Sequence, residues 1–441
     1  MSGFDGSEIV RTPWGHADRL RERMLRPGPG TPREVGTQNQ LERLFGAMVA
    51  SVAEKGYEKT TVADLLRLSG VSRSTFYSHF GDKQECFLAT FEALLATTVE
   101  LIGRELDEQR GVEENARAAL RRFFEQIAVM PAAAMFCFNY PYALGPPGHA
   151  AIERAMASFA PIVSETLTQI NGAELPPDMV RGLLGGGQMI IQIHLRRGEQ
   201  EALPDIADEL MDWALSYEAP PIPLRLAGRL PRDPEPHPPT YVSYSPAERI
   251  IRALAATAGE HGYPAVTIAE IASRAQMSQA TFYAHFSDKE EALMATLDSA
   301  AAQTLAAILP ASRRAPDWPN ALRAGLGALC YFGAAEPDFA RLAAVETYAA
   351  GREALEQRDR TIEKMRVLMK PGYLLAPHVP LFVADAVIGA VWGLFYKQIV
   401  NKGPQSMPEI APLASYMALA PFIGAQEAAE VANGDGRGKR Q

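Results

Sequence analysis

The sequence predicts an all-α protein of two consecutive units. Each unit is a small helical domain followed by a larger one, and the two pack together within one chain as a pseudo-dimer. Three observations carry this expectation. First, residues 61–85 (TVADLLRLSGVSRSTFYSHFGDKQE) return as residues 267–291 (TIAEIASRAQMSQATFYAHFSDKEE) at a constant offset of 206, without a gap. About 20 of 50 positions are identical between Leu41–Thr90 and Ala247–Thr296, and a period of about half the chain means duplication of a whole unit rather than a solenoid. Second, apolar residues recur at helical spacing almost throughout, and no alternating stretch competes as a sheet. Third, a proline-rich break, Ala219–Pro246, separates the copies; proline removes donors and clashes with the preceding helical turn.

Taken in order, residues 1–37 are rich in Gly, Pro and Arg and read as a flexible basic arm. The first small domain spans 38–98. Leu41, Leu44, Phe45, Met48 and Val52 follow i, i+3, i+4 spacing, and Gly56-Tyr57 ends that helix. Thr61 can cap a short helix burying Val62, Leu65 and Leu66; Gly70 breaks it; Ser72 caps a second helix with Phe76 and Phe80 facing inward. Residues 99–218 form the first larger domain, with helices expected near 115–130, 151–170, 178–197 and 205–217. The linker spans 219–246, and 247–304 repeat the small domain. The second larger domain spans 305–428, with helices near 319–333, 352–369, 379–401 and 408–423, and 429–441 read as a disordered tail. Each half thus ends in two adjacent apolar helices, suited to a shared four-helix bundle.

Two short helices joined by a glycine-containing turn describe a helix-turn-helix, whose second helix meets DNA bases with its N-terminal residues. The string T-V-A-D-L-L…G-V-S-x-x-T-F-Y-x-H-F-x-D-K-x-E resembles the DNA-binding domain of TetR-type transcriptional regulators. Each copy matches over about 60 residues. The resemblance implies operator DNA as partner, a helical C-terminal domain that dimerises and binds a small molecule, and a repressor released by that ligand. It also implies roles for individual residues. Tyr77, His79, Lys83 and the cap Thr61 fall at positions that touch the DNA backbone, and Arg73, Ser74 and Thr75 at the start of the base-reading helix. In the second copy the matching residues are Thr267, Gln279, Ala280, Thr281, Tyr283, His285 and Lys289.

The copies are not equivalent. Gln276 stands where the first copy has Gly70, and Met277 where it has Val71. Lys/Arg against Asp/Glu is six against six over Leu41–Thr90, net zero, and four against six over Ala247–Thr296, net −2. Because phosphate neutralisation dominates affinity, the second head is expected to bind more weakly. Arg73 suits guanine and Gln279 adenine, so a fused pair is expected to read an asymmetric operator with unlike half-sites roughly 10 bp apart. Two arrangements stay open at this point: a single-chain pseudo-dimer, and association of two chains to give four heads.

For the ligand side, aromatic and polar residues suggest Phe124, Phe136, Tyr140, His194, Tyr331, Tyr348 and Tyr396 as pocket residues for a small hydrophobic ligand, with Asp385 as a further polar group. No phosphate loop, H-E-x-x-H or nucleophile elbow is present, so neither an enzyme nor a cofactor is expected. The net charge of −9 argues weakly against nucleic acid overall; what matters is where positive charge sits. Cys86, Cys137 and Cys330 are scattered and odd in number, which fits a reduced, cytoplasmic setting. The start has no apolar run of the secretory type. Pro380–Tyr396 is apolar but carries Asp385, and reads as a buried helix rather than a membrane span. The alternative function is a ligand-independent, architectural or partner-recruiting DNA-binding protein with a degenerate second head.

Overall fold

The computed structural model describes residues 10–25, 32–226, 244–347 and 352–435. Among these residues it is helical nearly throughout, the one sheet being a two-residue pairing of β1 (Arg11–Thr12) with β2 (Gly15–His16). Two compact units divide the chain: residues up to Ser158 with Ile191–Met211, and Phe159–Ile190 with Asp212 onward.

In the first unit, α1 (Arg33–Lys59) carries the apolar stripe Leu44, Phe45, Met48 and Val52 into the core and kinks at Gly56, whose φ of 78° suits glycine. α2 (Val62–Ser69) starts at a capping box. Thr61 accepts from the Asp64 amide, and the Asp64 carboxylate accepts from the Thr61 amide at 2.9 Å. Gly70 ends α2 at φ 68°. α3 (Arg73–His79) is capped by Ser72 and α4 (Lys83–Gly103) by Asp82. Phe76 and Phe80 are buried, Phe76 against Phe80 and Phe80 against Phe45. Beyond lie α5 (Val112–Val129) and α6 (Pro131–Phe138), whose Phe136 stacks on Phe87 at 4.1 Å. Then come α7 (Pro146–Asn171), α8 (Pro177–Arg197) and α9 (Ala207–Leu215).

The expectation of a flexible arm is corrected over residues 10–25. Thr12 Oγ1 donates to the Gly15 carbonyl at 2.9 Å, closing the hairpin, and a 3₁₀ segment, Ala17–Arg23, follows. Trp14 packs on Phe45 at 5.2 Å, and Leu20 sits over Gly46, fully buried. Two apolar anchors hold what composition alone marks as mobile. Residues 1–9 and 26–31 lie outside the described residues.

The second unit repeats the head. α10 (Pro246–His261), α11 (Ile268–Arg274), α12 (Gln279–Tyr283) and α13 (Lys289–Arg313) enclose Leu254, Ile271, Phe282 and Phe286. The larger domain follows as α14 (Trp318–Ala335), α15 (Pro337–Ala344), α16 (Arg352–Leu375), α17 (Val383–Lys402), α18 (Ala411–Ile423) and α19 (Ala425–Ala432). α19 corrects the expected tail: Ala429, Val431 and Ala432 are buried, and only 436–441 fall outside the described residues. Of the linker, 227–243 fall outside as well. Its described start is tied down by Asn433, which accepts from the Arg225 amide at 2.7 Å and donates to the Pro223 carbonyl at 3.1 Å.

Within this unit, the stretch of α8 up to Ile190 crosses α17 through small residues. A Cβ on Gly185 would lie 2.9 Å from the Gly389 carbonyl oxygen, and one on Gly389 would lie 2.8 Å from that of Gly185. Tyr217 donates to the Met417 carbonyl and Tyr416 to the Glu218 carbonyl, each at 2.7 Å. Lys397 pairs with Asp178 at 2.6 Å. Among the described residues, three helices, Lys83–Gly103, Lys289–Arg313 and Val383–Lys402, are long and apolar enough to cross a membrane by length and composition. Of these, Val383–Lys402 has most of its length buried in the second unit.

The turn of the second head is strained. Gln276 has φ 56°, and among the described residues it is the one non-glycine at positive φ. A left-handed L-residue costs about 1–2 kcal/mol. Gln276→Gly is therefore expected to raise the melting temperature of the second head, by an amount corresponding to about 1 kcal/mol, and Gly70→Gln to lower that of the first. Hydrogen exchange across α11–α12 and α2–α3 measures both.

Candidate nucleic-acid interface

Both heads expose the start of the second helix of the motif. In the first, the Ser72 hydroxyl accepts from the Thr75 amide at 3.1 Å, which turns Arg73 and Ser74 outward on the first turn of α3. Tyr77 stands 47 % exposed, edge-on to the buried Phe76, with the Arg73 guanidinium 5.8 Å from its ring. Thr75 is half-buried beside Ser72. His79 is half-buried, its Nε2 3.3 Å from Gln40 Oε1. The Thr61 hydroxyl is exposed but engaged with Asp64 Oδ2 at 2.6 Å. Lys55 at 2.7 Å and Thr61 hold the Asp64 carboxyl down at about 2, well below its ordinary value.

The second head repeats this frame with other chemistry. Ser278 caps α12, Gln279 and Ala280 face outward, and Thr281 is half-buried against the cap. Tyr283 is 55 % exposed and edge-on to Phe282. The Thr267 hydroxyl bonds Glu270 at 2.8 Å. α12 ends at Tyr283, so the exposed His285 follows the helix, whereas His79 closes α3. No Lys or Arg lies on α12.

Lys83 and Lys289 are placed differently from the expectation of outward phosphate ligands. The Lys83 ammonium donates to the Tyr57 carbonyl at 2.9 Å and lies 4.1 Å over the Tyr57 ring; burial lowers its pKa. Lys289 donates to the Val266 carbonyl at 3.1 Å and lies 4.6 Å over Tyr263. Each fastens the start of one helix to the corner after the first helix of its head. Arg43 and Arg249, which the motif reading passed over, hold the turns: Arg43 donates to the Ser69 carbonyl at 2.6 Å, and Arg249 to the carbonyls of Ala275 and Gln276. Their identity at offset 206 was the available signal.

The expected ligand residues fall in different surroundings. Phe124 and Phe136 are fully buried, and Phe136 belongs to the core of the first head. Tyr140 is half-buried, its phenol pKa raised by burial; His194 is half-buried. Tyr348 lies outside the described residues. In the second unit a cavity of about 280 Å³ is lined by Leu322, Leu326, Leu329, Met365, Trp392 and Phe395 among others, and neither Tyr331 nor Tyr396 reaches it. The cavity-lining residues of α14 and α17 recur at i+3 and i+4; Tyr331 falls on another face of α14, and Tyr396 comes directly after the last lining residue of α17, Phe395. Asp385 does not line it either; its carboxylate pairs with Arg366. The polar groups at this apolar cavity include Ser312 and the buried Trp392 N–H, which has no hydrogen-bond partner among the described residues. α14 runs from the cavity to Glu336, which pairs with Arg252 of α10 at 2.9 Å. α15 continues with Phe339 and Leu342 in the core of the second head. Glu346 closes that route by accepting from the Tyr263 amide at 3.1 Å.

A family profile described as "Bacterial regulatory proteins, tetR family" matches residues 47–90 and 250–295. An uncharacterized HTH-type transcriptional regulator of Bacillus subtilis, YvdT, is 30 % identical over 66 residues, 15 % of this chain and 34 % of that protein. The HTH-type transcriptional repressor AcnR of Corynebacterium glutamicum is 36 % identical over 81 residues, 18 % of this chain and 43 % of that protein. The chain thus matches less than half the length of these curated relatives. Among solved structures, the fatty acid degradation regulator FadR from Bacillus halodurans is similar at 16 % identity and TM-score 0.38, over 41 % of this chain and 98 % of that one. A TetR-like transcriptional regulator from Rhodococcus sp. RHA1 is similar at 18 % identity and TM-score 0.35, over 43 % and 100 %. The two profile matches fall on the two helix-turn-helix heads, so the chain carries two tetR-family domains in tandem, one in each half.

Proposed function

We propose that this chain is a sequence-specific DNA-binding transcriptional regulator that reads an asymmetric operator with two unlike heads. The observation that carries the reading is the pairing of like scaffolds with unlike outward residues: Arg73-Ser74 on α3 and Gln279-Ala280 on α12, each raised by the same serine cap. Arginine suits guanine and glutamine suits adenine. Helices of both halves pack together by reciprocal bonds, Tyr217 to Met417 and Tyr416 to Glu218. Reciprocity of this kind is what an isologous dimer shows, and it supports a single-chain pseudo-dimer. Repression is the sign we favour, by likeness to a named repressor, and the apolar cavity is the seat of a small hydrophobic inducer with one acceptor for the Trp392 N–H. Filling it would press on α14 and, through Glu336 and α15, on the second head. The protein acts without catalysis; Cys86 and Cys330, buried and pushed up to about 12, are poor nucleophiles.

In-vitro selection from a random duplex pool, run on the wild type and on Tyr283→Ala, tests the reading. The expected wild-type site has two unlike halves about 10 bp apart, one of which blurs in the variant. A single half-site indifferent to Tyr283→Ala would make the second head structural, as its strained turn and net charge of −2 favour. No enrichment at all would overturn DNA binding.

A further inference from the structure

Resting on the DNA-binding reading, we propose that residues 10–25 form a strap that adds a phosphate-backbone contact to the first head, through Arg21. The 3₁₀ segment Ala17–Arg23 is held by Leu20, buried over Gly46, and this sets the neighbouring Arg21 against the turn of the motif. The Arg21 Cγ and Nε lie 3.2 and 3.3 Å from where a Cβ on Gly70 would stand, two residues before the Ser72 cap. Arg21 is exposed, and among the described residues no carboxylate lies within ion-pair reach of it.

The charge inventory of the head explains what such a strap supplies. Arg43 is turned inward onto Ser69, Lys55 pairs with Asp64, and Lys83 is fastened to Tyr57. With Arg67 3.9 Å from Asp64, four of the six cations in the motif window are engaged with the protein itself, and the window is net zero. The strap carries Arg11, Arg19, Arg21 and Arg23 against Asp18 and Glu22, four minus two, or +2. Ahead of α10, Tyr244 covers Arg252 at 4.5 Å.

The test measures binding of the full chain to a duplex recovered by selection and to a random-sequence duplex, each across a salt series. Arg21→Ala should weaken both several-fold and reduce the salt slope by about 1, and Arg21→Lys should restore the slope. An unchanged slope in Arg21→Ala would overturn the proposal. So would a loss that Arg21→Lys fails to restore and that comes with lower thermal stability, since that marks a packing role. If the wild type bound neither duplex, the DNA-binding reading itself would fall, a result separable from failure of the strap.

Discussion

Phe76→Ala is expected to melt the first head while leaving the second intact, and Phe282→Ala to do the reverse. Both rings are fully buried, and each packs against the second phenylalanine of its own motif, Phe80 at 5.6 Å and Phe286 at 5.9 Å. Truncating a buried phenylalanine costs about 3–5 kcal/mol. A domain of about 60 residues holds only roughly 3–9 kcal/mol in total, so one truncation takes most of it. The two head cores are separate clusters, one built around Phe45, Phe76 and Phe87, the other around Leu254, Phe282 and Phe339. The damage should therefore stay local. A protein of several domains has no single unfolding free energy, so the probe must be local too. Hydrogen exchange should show protection lost over 62–79 in Phe76→Ala and retained over 268–283, with the pattern exchanged in Phe282→Ala. Loss in both heads from one substitution would show that they fold as one cooperative body. On DNA, each variant should keep only the half-site of its surviving head.

The heads were legible because their signals are local. Thr61, Ser72, Gly70 and the Phe76–Phe80 pair each act within four residues, and a gapless repeat doubled all of them but Gly70, which Gln276 replaces. The long helices were legible for the same reason, since α14, α16, α17 and α18 begin or end within a few residues of their expected places. What escaped depends on distance. Whether Lys83 reaches outward or folds back is decided by Tyr57, 26 residues earlier in the sequence. The order of residues 10–25 is decided by a gap over Gly46 that accepts Leu20. The cavity escaped because aromatic content does not fix helix rotation: Tyr331 and Tyr396 lie within two residues of lining positions yet neither lines it.

Gly389→Val should be the most damaging single change in the second unit, and Gly187→Ala on the facing helix should be harmless. A side chain at 389 would place its first carbon 2.8 Å from the Gly185 carbonyl oxygen. That neighbour is backbone inside a helix and can move only if the helices separate. Gly182, Gly185 and Gly186 meet Ala386, Ala390 and Gly393 along the same crossing, so separation at one point opens the seam. Overpacking of this kind costs about 1–3 kcal/mol. Parting the helices also strains the Tyr217 and Tyr416 hydrogen bonds, about 1 kcal/mol each. At Gly187 a Cβ meets nothing within 4 Å, so alanine there gains up to about 1 kcal/mol of helix propensity. Trp213, whose ring covers Gly186, reports the seam by fluorescence. The expected melts show an early transition in Gly389→Val and a slightly raised one in Gly187→Ala; equal melts would mean that the glycine crossing does not hold the bundle. Because this seam joins helices from both halves, its loss should also make half-site binding independent of the partner head. That would tie the close approach of two helix backbones at Gly185 and Gly389 to the reading of a two-part operator.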